Sequence, residues 1–212
     1  MPRTNRCIIQ SKEIEIQFLT VYTENILLEV IIIGLNIGYL TSDKKDDSLY
    51  TPYYVVDHIV KYIPKGKKIW CPFDMEEWSA FSVRLREYGY VVISSHIDTG
   101  QDFFEYEPDA WDIIVSNPPF SIKDKVLERL YSFNKPFAVL LPLNSLQGKT
   151  RYQYFSQGIQ ILSFDARVSY HDREHMDKPV KGSPFATAYF CRDVLPRDLI
   201  VEKLVTYDRP LI

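Results

Sequence analysis

The sequence predicts an α/β fold built on a mostly parallel, doubly wound sheet, and three observations predict it. Short, nearly all-apolar runs alternate with segments of helical periodicity, as strands buried on both faces and their crossover helices do. The chain of 212 residues is 46% hydrophobic and 25% charged, enough for one domain with a real core. Polar breaks and Pro or Gly stops separate the runs at the spacing of βα units.

The first break is the run Thr41-Ser42-Asp43-Lys44-Lys45-Asp46-Asp47-Ser48, which reads as a solvated linker. Residues 1–48 are therefore an appendage of unassigned role and residues 49–212 the main domain. Phe18 to Leu40 is the most apolar stretch. It includes Glu24, Asn25, Glu29 and Asn36, so a packed strand or helix pair is the better reading than a membrane span.

Thr51-Pro52 reads as an N-cap followed by proline at the first helical position, with Val55, Val56, Ile59, Val60 and Ile63 on one face. Pro64 and Gly66 end that helix, and Lys67 to Cys71 forms a short buried strand. After the turn Pro72-Phe73, Asp74 and Glu77 resemble a capping box opening a helix with Trp78, Phe81, Leu85 and Tyr88 inside and Gly89 as its C-terminal cap. A ligand role for Asp74 stands level with the cap. Tyr90 to Ile97 and Trp111 to Ser116 are strands. Ser121 and Asp124 open a helix carrying Ile122, Val126, Leu130 and Phe133. Pro136 to Pro142, Ile159 to Phe164 and Phe185 to Cys191 complete the strands. In such sheets ligands bind outside the carboxyl ends of the strands, which selects Cys71–Asp74, His96–Asp102 and Asn117–Phe120 as the rim.

Three widely separated cysteines, Cys7, Cys71 and Cys191, offer neither a disulfide framework nor a tetrahedral metal site, and they suggest a reducing, cytoplasmic compartment. The four histidines show no metal spacing, and His58 reads as a surface or satisfied side chain. The formal net charge of −3 lacks the basic excess of a nucleic-acid binder. A nucleic-acid substrate would have to be held by a local patch or with help from a partner subunit. Lys123, Lys125 and Arg129, or Lys61, Lys65, Lys67 and Lys68, could form one, although solvated helix faces explain most such lysines.

The sharpest motif is Ser116-Asn117-Pro118-Pro119-Phe120, placed directly after an apolar strand. Paired prolines lock the backbone and donate no hydrogen bonds, so a carbonyl beside the Asn side-chain oxygen offers two acceptors to an amino group with two hydrogens. Such a pair holds the nitrogen for attack on a methyl group, and Phe120 can stack on a planar base. With proline at about 5% of residues, a chance match in a chain of this length is about one in a hundred.

Asn-Pro-Pro-Phe in this position resembles the catalytic motif of S-adenosylmethionine-dependent amino-methyltransferases. It is most similar to that of the N6-adenine DNA methyltransferases and their short phage-type relatives, over about residues 50–191. The resemblance implies a Rossmann-like class I methyltransferase fold with an antiparallel last strand. It implies S-adenosylmethionine as cofactor and Asn117, Pro118, Pro119 and Phe120 as the catalytic loop. It assigns cofactor contacts to Thr51, Pro52, Cys71, Pro72, Phe73, Asp74, Asp102 and Phe103, and to His96 with Asp98 at the position of the ribose-binding acid. Cys71 stands where the family has an acid, and Asp74-Met75-Glu76-Glu77-Trp78 replaces its glycine loop. An acidic rim there suits a cationic sulfonium and would repel a pyrophosphate. A nucleophilic role for Cys71 is the weaker reading, because the Pro-Cys order of cytosine-C5 enzymes is reversed and no activating partner is evident.

The resemblance further implies methyl transfer to adenine N6, with DNA favoured over RNA, and an aromatic after the sixth strand to stack on a flipped base. Phe164 and Tyr170 are candidates for it, with core packing equally open for Phe164. tRNA adenine, a protein amide, or a non-catalytic binding module of the same fold are the rival expectations. No stretch is long enough for a separate target-recognition domain.

Overall fold

The computed structural model describes residues 49–180 and 185–212. The expected appendage 1–48, with Cys7 and the apolar stretch Phe18 to Leu40, lies outside the described residues. Among the described residues, no helix is long and apolar enough to cross a membrane.

Seven strands form one sheet: β1 Lys68–Pro72, β2 Val91–Ser95, β3 Ile113–Ser116, β4 Phe137–Pro142, β5 Gln160–Phe164, β6 Thr187–Arg192 and β7 Leu199–Glu202. Their order is β2-β1-β3-β4-β6-β5-β7. β1, β2, β3 and β4 run parallel, β6 lies antiparallel between β4 and β5, and β7 pairs parallel with β5. This is the doubly wound, Rossmann-like α/β arrangement. The antiparallel strand is β6, the last one predicted, and β7 follows it as an addition. β7 was not legible because it is four residues long and lies at the sheet edge with Leu199 and Val201 exposed.

The helices are α1 Tyr53–Val60, α2 Ala80–Glu87, α3 Lys123–Ser132 and the single turn α4 Tyr152–Phe155. Alternation along β6 shows the two covered faces. Phe190 joins the cluster of Val126, Leu127 and Leu130 from α3, whereas Tyr189 packs edge-on to Phe81 of α2 and donates its hydroxyl to the Val55 carbonyl of α1.

Two expected helix starts are corrected. α1 begins at Tyr53 with Pro52 at the cap, so the Thr51 hydroxyl caps nothing. α2 begins at Ala80 behind Ser79, leaving Trp78 in the preceding loop. The capping box at Asp74 does not form, because the Asp74 amide donates to the Ser95 carbonyl and its carboxyl is taken by Ser116. Gly89, at φ 83°, does end α2: its amide reaches the Arg86 carbonyl while that of Tyr90 reaches Leu85.

Trp70 of β1 anchors the α3 side. It is fully buried, donates Nε1–H to the Ser95 hydroxyl at 2.9 Å, and touches the rings of Phe103, Tyr106, Trp111 and Phe133. Truncation of Trp70 to Ala should therefore cost about 3–5 kcal/mol in chemical denaturation.

Candidate functional site

The sheet order reverses between β1 and β3, and at the carboxyl ends of these strands lies a cavity of about 450 Å³. That volume is within the usual range for a small-molecule site. All three predicted rim segments contribute to its wall: Phe73 and Asp74 after β1, His96, Ile97, Asp98, Gln101 and Asp102 after β2, and Asn117 and Pro119 after β3. Thr51 and Phe103 line it as well.

The β1 loop is held in an unusual backbone conformation. Phe73 has φ 73°, a left-handed value that favours glycine and costs an L-residue about 1–2 kcal/mol. The hydrogen bond from the Asp74 amide to Ser95 and the contact of the Phe73 ring with Phe103, centroids 4.8 Å apart, hold it there. The turn that glycines would make is thus made with an aromatic side chain, which then forms part of the cavity wall.

The same turn sends the Asp74 carboxyl inward. Ser116, the last residue of β3, offers its hydroxyl to Asp74 Oδ2 at 2.5 Å and to the Pro72 carbonyl. Burial pushes the Asp74 carboxyl up to about 7, against the lowering effect of hydrogen bonds from Ser116 and Ser79. Burial, and next the Asp74 charge, push the Cys71 thiol up as well. Cys71, expected as a cofactor contact, is fully buried within β1 and does not face the cavity, so its thiol is a core group and neither a cofactor contact nor a nucleophile.

Asn117 is oriented by main chain. Its Nδ2 donates to the Leu49 carbonyl at 2.8 Å, and its Oδ1 is buried without a hydrogen-bond partner. Because a carbonyl only accepts, this bond fixes which end of the amide is left over: the acceptor. Thr51 Oγ1 is a second buried, unpartnered polar atom on the cavity wall. Unmade hydrogen bonds of this kind are costly unless a ligand completes them.

The remaining wall combines carboxylates with aromatic surface. Asp102 Oδ1 accepts from the Phe104 amide at 3.0 Å, and His96 Nδ1 accepts from the Asp98 amide at 3.1 Å. In its neutral form His96 therefore carries its proton on Nε2. Trp78, displaced from the predicted helix, packs edge-on to Tyr50 at 4.9 Å. Tyr50 in turn exchanges two backbone hydrogen bonds with His171, which brings the loop carrying Arg173 to the cavity.

Other candidates lie elsewhere. Pro52, Pro72 and Pro118 are buried behind the wall. Phe120 is half-buried with its ring edge-on to Phe185 at 5.4 Å. Phe164 and Tyr170 are packed in the core, Phe164 against His58 and Tyr189, and Tyr170 with its hydroxyl on Thr187. His58 bonds Glu202 through Nδ1 at 2.6 Å. Lys123 donates to the Phe120 carbonyl, and Lys125 is exposed on α3. Of the other basic residues, Lys61 is engaged by Glu202, Lys67 by Asp112, Lys65 over the Tyr90 ring and Arg129 over Phe133, while Lys68 is exposed at the start of β1.

Sequence reasoning missed Ser116, Ser79 and the Leu49 carbonyl. A serine ending an apolar strand was the only signal for the first, and a backbone carbonyl leaves none.

No family model matches the chain, and no curated protein matches it. Among solved structures it is similar to a dimethyladenosine transferase from Plasmodium falciparum, at 13% identity over 68% of this chain and 62% of that one, with a TM-score of 0.42. It is similar to the methyltransferase subunit of a type I restriction-modification system from Streptococcus thermophilus, at 12% identity over 78% and 50%, with a TM-score of 0.45. A third is the release factor-specific protein-(glutamine-N5) methyltransferase from Alicyclobacillus acidocaldarius subsp. acidocaldarius DSM 446, at 13% identity over 66% and 88%, with a TM-score of 0.33. The chain spans less than two thirds of the length of the first two.

The raised carboxyl of Asp74 has a consequence for stability. Its folded value of about 7 exceeds the ordinary carboxyl value of 3.8, so the stability it contributes is complete below about pH 4 and lost as pH rises through 7. The loss is up to about 4 kcal/mol. Asp74→Asn should flatten this dependence and raise the melting temperature at pH 8, as thermal denaturation across pH will read.

Proposed function

We propose that the cavity binds S-adenosylmethionine and that the rim after β3 presents an exocyclic amino group to it, with adenine N6 of DNA as the favoured acceptor. The observation that carries this reading is Asn117 Oδ1, a buried acceptor with no donor, oriented by the Leu49 carbonyl and set in the wall of an acidic cavity.

The residues present suit the cofactor. Phe73 and Phe103 offer flat apolar surface to an adenine ring. Thr51 Oγ1, the Asp98 and Asp102 carboxylates and His96 Nε2 offer polar partners to hydroxyl and amino groups. Lined by the carboxyls of Asp74, Asp98 and Asp102, the cavity suits a ligand with a positive centre and disfavours a pyrophosphate. The cofactor, when bound, supplies a methyl group made electrophilic by a sulfonium.

The chain's own contribution is alignment. Asn117 Oδ1 accepts a hydrogen of the acceptor amine, which turns its lone pair toward the methyl group. Pro118 and Pro119 keep that turn rigid, so little reorganisation is needed when the bond forms. Phe120 is the proposed stacking surface for a planar acceptor. A base within a duplex must leave the stack to reach the rim, at a cost of about a few kcal/mol. Recognition of a sequence then falls to exposed groups such as Lys125 or to a partner subunit.

Asn117→Ala should reduce methyl transfer by about 100-fold or more, the scale for removing one preorganised hydrogen-bonding group, while the protein stays folded. Transfer of labelled methyl from S-adenosylmethionine to separate DNA, RNA and protein fractions tests this. Label in DNA adenine supports the favoured acceptor, label in tRNA adenine or protein amide reassigns it, and undiminished transfer by the variant overturns the role of Asn117.

A further inference from the structure

Asp74 is 6% exposed and lines the cavity. Among the described residues its partners are the hydroxyls of Ser116 and Ser79, and no Lys, Arg or His forms an ion pair with it. A buried carboxylate without a counter-ion is unfavourable, and hydroxyls compensate it only in part. Among the described residues no cation meets this carboxyl, and the cavity is a place from which one can come.

Resting on the functional reading above, we propose that Asp74 is the specificity-determining counter-charge of the site, selecting the sulfonium form of the cofactor over the neutral thioether product. Methyl transfer breaks the carbon–sulfur bond with its electron pair left on sulfur. The amine lone pair forms the carbon–nitrogen bond, and the nitrogen then sheds one proton to solvent. The molecule left in the cavity has lost one positive charge and is otherwise almost the same shape. Aromatic walls and hydroxyl contacts hold the two forms alike. A buried carboxylate does not, because an opposite charge about 4–6 Å away favours the ionised carboxyl by about tenfold or more.

Burial sets the ionisation of Asp74 near neutrality, so its charge can follow that of the ligand. The groups that face it are few. Ser116 from β3 and Ser79 ahead of α2 donate hydrogen bonds. Cys71 of β1 and Tyr189 of β6 are buried titratable groups that sense its charge, and both are pushed upward, so they stay neutral throughout. Around the same cavity stand His96, Asp98, Asp102 and Arg173. The sulfonium ligand therefore drives a proton off Asp74 when it binds at about pH 6.5, and the thioether does not. After transfer, reprotonation of Asp74 removes the charge that would otherwise remain unpartnered.

Calorimetry of S-adenosylmethionine and S-adenosylhomocysteine binding to the wild-type chain, in buffers of different ionisation enthalpy, tests this without a variant. The expected result is proton release with the sulfonium alone, and a sulfonium-to-thioether affinity ratio that rises about fivefold to tenfold from pH 6 to 8. Asp74→Asn should abolish the release and flatten the ratio, weakening the sulfonium ligand more than the thioether. Equal proton release by both ligands, or a ratio that does not move with pH, overturns the role of Asp74 and leaves the functional reading intact. Binding of neither ligand to the folded wild-type chain overturns both.

Discussion

A carboxyl group taken out of water at the junction of β1 and β3 is the constraint around which the site is organised. Asp74 can be buried there only because Ser116, at the end of β3, turns a hydroxyl toward it. Its own amide is meanwhile spent on the Ser95 carbonyl at the end of β2. Three strand ends are thereby tied to one residue. The tie forces Phe73 into a left-handed backbone and draws the chain away from the helix that the Asp74–Glu77 spacing favours. Local propensity yields to tertiary hydrogen bonds, as it commonly does at binding sites.

The opposite wall works by main-chain restraint. The sheet supplies a rigid edge, the two prolines remove torsional freedom, and the Leu49 carbonyl sets the direction of the Asn117 amide. None of these elements is chemically reactive. What they supply is a fixed acceptor on one side of the cavity and an ionisable carboxyl on the other. The aromatic cluster around Trp70 backs Phe103 from behind, so the cavity wall continues the core of the α3 side. A change in that core is felt at the site, because closely packed interiors transmit displacement.

Much of the sheet was legible because buried parallel strands are apolar on both faces. The runs Trp111 to Ser116 and Pro136 to Pro142 stand out against any background, and their observed bounds differ by no more than two residues. The edge strand β7 was hidden, since an exposed four-residue strand carries no such signature. Asn117 was readable as chemistry because proline pairs are rare and directional. Asp74 was readable only as an even choice between cap and ligand: both roles use the same carboxylate, and Ser116, which separates them, lies 42 residues further along the chain.

The sequence alone determined the doubly wound sheet, the three rim segments and the identity of the motif after β3, because apolar periodicity and proline geometry are local properties. Tertiary structure alone decided that Asp74 is buried, that Phe73 adopts a left-handed backbone, that Leu49 orients Asn117, and that Phe164 and Tyr170 belong to the core. Those outcomes depend on partners far apart in the chain and on how much water remains between them. Neither quantity is encoded in any one stretch of residues, and both arise only when the strand ends come together.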